Sequence, residues 1–275
     1  MPVNSARLFV DLILKVSGDC YANWSPPRMI EVGDYGVINS ETAEFEREGS
    51  IYDPNFEPDL QIASNHPKEE CPPEDQLFMV SRGWKQRAFD AELKANHPEL
   101  FKSNIKGRWE FQGGKGAILV VFKPAESRIQ NKGVLFQKLQ YNKILADKAL
   151  VTSVVSCPMY ALLLTGDKHA TADVAVGLSI AGVGTGSVSG KWHLHSTSGI
   201  WRSGGEDGNS KFHPLYTLRM PKSKSLMKRI LRRRGEVVPT GEDTFCAYPP
   251  PWGELDEEGE ELPLSEDSES EDEKD

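Results

Sequence analysis

The sequence predicts an α+β protein in which long strands alternate with a few helices. Three observations predict it. Between Thr171 and Trp201, apolar and polar residues alternate in two stretches around a glycine-rich turn, the pattern of a long amphipathic hairpin. Short runs at Ala117 to Phe122, Ala149 to Ser156 and Tyr160 to Leu164 are apolar and mostly β-branched or leucine-rich, as strands are. Helical periodicity is confined to a few segments, chiefly the N-terminal one and Gly133 to Lys148. With 275 residues, 38% of them hydrophobic, the chain can bury a full core.

Taken in order, Ser5 can cap a first helix that runs to about Val16 and stops at Gly18. Its apolar residues cover most of the circumference, whereas Arg7, Asp11 and Lys15 fall at i, i+4, i+8 on one thin charged stripe. Beyond Pro26 and Pro27, short strands at Tyr35 to Ile38 and Glu44 to Glu46 flank the turn cluster Asn39 to Thr42, a polar hairpin hinged at Gly33, Gly36 and Gly49. Pro54, Pro58, Pro67, Pro72 and Pro73 mark an irregular loop ending near Asp75. A strand then opens at Gln76, a helix-like stretch runs from Lys85 to Phe101 with a break at Pro98, and Arg108 to Gln112 returns as a strand toward Ala117. Gly133 to Lys148, with Val134, Leu135, Leu139, Ile144 and Leu145 set between lysines, reads as an amphipathic helix.

Within the long hairpin, Val174, Val176, Leu178 and Ile180 face one way and Asp173, Ala175, Gly177 and Ser179 the other. After Gly182, Gly184 and Gly186 the alternation resumes with Val188, Trp192 and Leu194. Each limb is about ten residues, the length with which a tilted strand crosses a bilayer, one face in lipid and one in water. A half-buried hairpin in an ordinary sheet has the same pattern, so the alternation alone leaves both readings open.

Charge divides the chain. Glu254 to Asp275 holds thirteen carboxylates against one lysine, a net of -12, which leaves the remainder at +3 within a total of -9. Residues 236–275 are therefore expected to be a disordered acidic tail behind a folded domain of residues 1–235. Just before it, Arg219, Lys222, Lys224, Lys228, Arg229, Arg232, Arg233 and Arg234 interleave with Leu226, Met227, Ile230 and Leu231, between Pro221 and Gly235. A short basic amphipathic helix of this kind lies on anionic membranes, binds nucleic acid, serves as a nuclear address or is simply solvated.

Several function classes find no support. No apolar run is long enough for a transmembrane helix, and Asp11 and Lys15 interrupt the N-terminal segment where a signal peptide would stay apolar, so a chain made soluble and held in the cytosol is expected. Cys20, Cys71, Cys157 and Cys246 are widely spaced, without a CxxC pair, and read as reduced thiols. Around Gly190 and Lys191 the phosphate-loop pattern fails, with Thr185 in place of the first glycine and Trp192 in place of the magnesium-binding hydroxyl. His193 and His195 share a face but lack a third ligand at useful spacing, and neither GxSxG nor HExxH occurs. No catalytic residue, metal or cofactor is expected.

Three segments together resemble the gasdermins, in particular the short gasdermin-like cell-death proteins of filamentous fungi. They are Ala6 to Asp19, Gly33 to Tyr52, and Leu150 to Tyr160 leading into the hairpin, within a likeness that spans about residues 3 to 235. The resemblance implies a twisted, mostly antiparallel sheet with a few helices. It further implies a domain that binds acidic phospholipids (cardiolipin, phosphatidylserine or phosphoinositides), assembles as a homo-oligomer or with an allelic partner, and turns two segments, about Gln76 to Lys123 and Tyr160 to Trp201, into membrane-spanning hairpins. Arg7 and Lys15 would then touch lipid headgroups, with Lys222 to Arg234 as a second basic surface and anionic membranes, the plasma membrane among them, as the active location. At roughly 1 kcal/mol per basic residue near an anionic surface, a few contacts per subunit suffice for capture. Unlike animal members, this chain has only about forty residues after the basic segment, too few for a restraining domain with its own core. Control would come from the acidic tail lying on the basic surface until a protease cuts near Gly235 to Tyr248, or from the partner. Nucleic acid is not a partner on this reading; the rival is a peripheral lipid- or nucleic-acid-binding module that uses residues 219–234 without forming a pore.

Overall fold

Helix α1 (Ser5–Ser17) is capped by Asn4 in place of Ser5: the Asn4 side-chain oxygen accepts the Arg7 backbone N–H at 3.2 Å. It ends at Gly18, whose φ of +87° is open to glycine and whose N–H donates to the Leu14 carbonyl. The computed structural model describes residues 4–86, 106–111, 114–166, 170–180, 188–196, 198–205, 210–222, 244–256 and 259–263. Over these residues the class is α+β, with every strand pairing antiparallel.

Three sheets hold the described strands. The largest contains β1 (Cys20–Ala22), β2 (Asp34–Ile38), β3 (Phe45–Ser50), β4 (Lys68–Glu70), β9 (Ala125–Ile129), β10 (Ala149–Cys157), β15 (Phe212–Pro221) and β16 (Phe245–Ala247). An inner four-stranded sheet runs in the order β14 (Gly199–Gly204), β11 (Met159–Thr165), β8 (Ala117–Phe122), β5 (Gln76–Val80). An outer one runs β13 (Val188–Ser196), β12 (Thr171–Ile180), β7 (Lys106–Phe111), β6 (Trp84–Gln86). Two short helices, α2 (Ile62–Asn65) and α3 (Lys132–Leu139), complete the set with a 3-10 turn at Pro58–Leu60.

The cores explain the composition of the strands. β8 and β11 are buried along their whole length, which is why AILVVF and MYALLLT are continuous apolar runs without alternation. Leu119, Val121, Leu162 and Leu164 meet Leu8, Phe9 and Ile13 of α1 on one face. On the other, Ile118, Val120, Ala161 and Leu163 meet Trp109, Phe111, Val174 and Trp192 of the outer sheet. A third core lies on the large sheet, where α3 seats Leu135, Phe136 and Leu139 beside Leu150 and Tyr216.

Two expectations are corrected. The amphipathic helix from Gly133 to Lys148 is only the eight residues of α3: past Leu139 the chain leaves the helix, and the Asn142 side chain accepts from the N–H groups of Ile144 and Leu145, an Asx-type turn. The tail is the second. Among residues 236–275, positions 244–256 and 259–263 are folded onto the domain: β16 pairs with β15, Phe136 stacks on Phe245 at 4.2 Å, and Trp252 and Leu255 enter the third core. Charge outweighs apolar content in this segment, yet three well-placed apolar side chains are enough to anchor it, since each buried one contributes about 1.5–3 kcal/mol. The helix-like stretch expected at Lys85 to Phe101 falls mostly outside the described residues. Trp252→Ala should lower the unfolding free energy by about 3 kcal/mol, measured by urea titration; a loss under 0.5 kcal/mol would mean the tail is not part of the core.

Candidate functional site

The inner and outer sheets are one structure interrupted halfway. Their strand orders correspond position by position, because β5 continues into β6, β7 into β8, β11 into β12 and β13 into β14. The four arms form two long hairpins, residues 76–122 and 159–204, lying side by side through β8–β11 and β7–β12. These are nearly the two segments the resemblance marks. Along each hairpin the outer sheet is the half nearer the tip, and it is doubled back over the inner one: Trp192 on β13 donates from Nε1 to the Gly204 carbonyl at the far end of β14, 3.2 Å away, and stands edge-on to Trp201.

At the ends of the inner strands that face the outer sheet, two buried hydroxyls stand in for ladder bonds. Ser81 exchanges bonds with Ala117: its N–H donates to the Ala117 carbonyl and its Oγ accepts the Ala117 N–H, both at 2.9 Å. Thr165 does the same with Gly116, at 2.8 Å from its N–H and 2.6 Å at its Oγ1. Both side chains are about 1% exposed. Gly199 sits at the same level with φ +136°, where a Cβ would stand 2.4 Å from the Leu164 carbonyl, so only glycine fits. Neither hydroxyl was legible as functional in the sequence, where serine and threonine at strand ends are commonplace.

In the β12–β13 hairpin the register sets Val174 opposite Leu194, Val176 opposite Trp192 and Ile180 opposite Val188, with Leu178 opposite Gly190. The alternating apolar positions thus share one face. Val174 and Trp192, which alternation offers to lipid, are buried against the inner sheet here. The glycine-rich tip, 181–187, lies outside the described residues.

The charged stripe of α1 is covered by the C-terminal segment. Arg7 is buried and its Nη1 lies 3.3 Å from Glu261 Oε1; Asp11 is buried between Lys15, at 2.7 Å, and Trp252, whose Nε1 donates to Asp11 at 3.4 Å. Gly259 packs on Asn4 and Leu8, leaving room for no Cβ. Of the two expected headgroup contacts, Arg7 is therefore occupied in this state, and Lys15 stays exposed beside its own carboxylate. Of the second basic surface only Lys222 is described, its N–H held by the Thr244 carbonyl; Lys224, Lys228, Arg229, Arg232, Arg233 and Arg234 lie outside the described residues.

A different surface carries both charge and apolar exposure. Val134, Tyr141 and Ile144 are 52%, 67% and 40% exposed, and the exposed Lys132, Lys138 and Lys143 stand among them. Residues 127–146 contain no carboxylate. The sequence shows these lysines, but as the polar face of an ordinary helix; Leu135, Phe136 and Leu139 satisfy the core and leave Val134, Tyr141 and Ile144 exposed, which periodicity does not distinguish.

Among the described residues no group of three His, Cys, Asp or Glu is placed to hold a metal, and no helix is long and apolar enough to cross a membrane. The four cysteines are unpaired, and burial pushes the Cys157 thiol up to about 12, so it is an inert core thiol. Compared with known protein families, characterised proteins and solved structures, the chain matches none. Thr165→Val should cost about 1–3 kcal/mol by leaving the buried Gly116 N–H unpaired, with faster amide exchange at Gly116, whereas Thr165→Ser should restore both; equal behaviour of the two variants would remove the hydroxyl from the seam.

Proposed function

We propose that the chain is a gasdermin-like pore-forming protein that binds anionic bilayers, assembles side by side and straightens its two hairpins into a membrane-spanning β-barrel. The observation that carries this reading is the pair of hairpins bent at one seam. A straightened arm need not find new intramolecular partners, since its neighbours in the inner sheet remain its neighbours in the outer one. The strands run alternately up and down across the four arms, so the β13–β14 edge of one copy meets the β5–β6 edge of the next antiparallel, and a ring of copies closes without an unpaired strand. β12 alone has ten residues, the reach of a tilted strand across hydrocarbon.

Membrane capture falls to the lysine-ringed apolar surface of α3 and residues 140–144, where ammonium groups meet lipid phosphate and Val134, Tyr141 and Ile144 enter the headgroup region. The C-terminal segment restrains this activity by holding Arg7 and covering α1. On the rival reading, the α3 surface attaches the protein to membranes peripherally and the hairpins stay folded.

Dye release separates the two. Vesicles containing cardiolipin or phosphatidylserine should bind the protein and leak, and Val176→Arg or Leu178→Arg should abolish leakage while leaving vesicle flotation intact; binding without leakage by the unaltered chain, cleaved or whole, would leave only the peripheral reading. Glu261→Lys, which sets like charges at Arg7, should raise leakage several-fold at low salt, and unchanged leakage would show that the C-terminal segment does not restrain the protein.

A further inference from the structure

On the large sheet, a cleft of about 320 Å3 opens between the 27–32 loop and the strands beneath it. Its floor is a row across three strands: Glu70 on β4 stands opposite Ser127 on β9, which stands opposite Val154 on β10. Lys68 lies two residues from Glu70 on the same face, and His213 of β15 with the preceding Lys211 completes the wall. Met29, 68% exposed, lines the same cleft from the loop.

Two features mark it as built to receive something. His213 is 9% exposed, and its Nδ1 has no hydrogen-bond partner. Burial, and then the Lys211 ammonium, lower its pKa, which keeps the imidazole neutral at pH 7. The charges are also mixed. Lys68 and Glu31 satisfy each other at 2.9 Å, while Lys211 and Glu70 are ion-paired to no described residue, leaving one cation and one anion over. A simple anion would find only half a complement here, and so would a simple amine.

We propose that this cleft binds a phosphate ester that also carries an ammonium, the phosphoethanolamine end of a glycerophospholipid. The phosphate accepts from Lys211 and from the imidazole of His213, the ammonium faces Glu70, and Ile30, Val32 and Met29 meet the carbon skeleton. This assignment rests on the membrane reading above, and it adds a headgroup preference that the lysine-rich α3 surface does not supply.

The test uses the full chain. His213 ring resonances are followed by NMR during addition of O-phosphoethanolamine, inorganic phosphate or ethanolamine, and the protein is floated with phosphatidylcholine vesicles containing either phosphatidylglycerol alone or phosphatidylglycerol plus phosphatidylethanolamine. O-phosphoethanolamine should shift His213 at concentrations where the other two do not, and Lys211→Ala and Glu70→Ala, both exposed positions, should each weaken that response about fivefold. Flotation should rise with the ethanolamine lipid and lose that rise in both variants. An equal response to phosphate, or no response at His213, overturns the site; selective binding of the soluble ester without any dependence of flotation on the ethanolamine lipid overturns the lipid as its source. Leakage from phosphatidylglycerol vesicles reads the pore separately: if it is absent while flotation keeps the ethanolamine dependence, the pore reading fails and the cleft stands.

Discussion

From Ala117 to Phe122 and from Met159 to Thr165 every side chain is buried, so this central strand pair needs apolar cover on both faces. One cover is α1. The other is the tip-proximal half of the same two hairpins, turned back at the seam so that Trp109, Phe111, Val174 and Trp192 close the far face. Without the fold-over, about half of the inner sheet would stand in water. The bend therefore cannot be treated as a local irregularity, and the exchange of ladder bonds for the Ser81 and Thr165 hydroxyls is what makes it tolerable inside a core.

The C-terminal segment obeys the same logic. α1 has to bury Leu8, Phe9 and Ile13 against the inner sheet, and its remaining face carries Arg7 and Asp11. Left bare, those two would be solvated and of little consequence. Covered by Trp252, Leu255 and Gly259, they must be partnered, and Glu261, Lys15 and the Trp252 indole do so. Apolar anchoring brings the acids of the tail to α1, and their charge then finds its counterpart there. Glu260 and Asp256 keep a small local turn of their own, the Glu260 N–H donating to Asp256 Oδ1, so the segment is shaped as well as attached.

How much of this was legible depended on whether the signal was local. The second hairpin shows in the sequence because alternation and glycine spacing are properties of a strand with two unlike faces, and β12 begins at Thr171 as the pattern indicates; the first has a helix-like period from Lys85 onward, which hides its outer half. The cap of α1 slipped by one residue because Asn4 and Ser5 both suit that position chemically and only the backbone decides. The fold of residues 244–256 and 259–263 was hidden for a different reason: Phe245, Trp252 and Leu255 fit no helical or strand period, yet all three join one core built from distant parts of the chain. The seam hydroxyls and the His213 cleft were likewise invisible, since each joins residues far apart in the chain, Thr165 to Gly116 and Lys68 to His213 among them.

The energetics of opening set a constraint on any mechanism in which the arms straighten. Lifting the outer sheet exposes Trp109, Phe111, Ala172, Val174 and Trp192 together with the inner face they cover, at a cost on the order of 10 kcal/mol in water. That equals the whole stability of a typical domain, so the bent form is the one populated in water. Hydrocarbon changes the balance, because an apolar face that leaves the core for lipid loses little, whereas every unpaired edge N–H and C=O costs several kcal/mol there. In a mechanism of that kind assembly has to precede insertion: the edges would be paired between copies while the tips were still at the surface, and the glycines between Gly182 and Gly186, with no side chains to desolvate, would leave the backbone as the main barrier to passage.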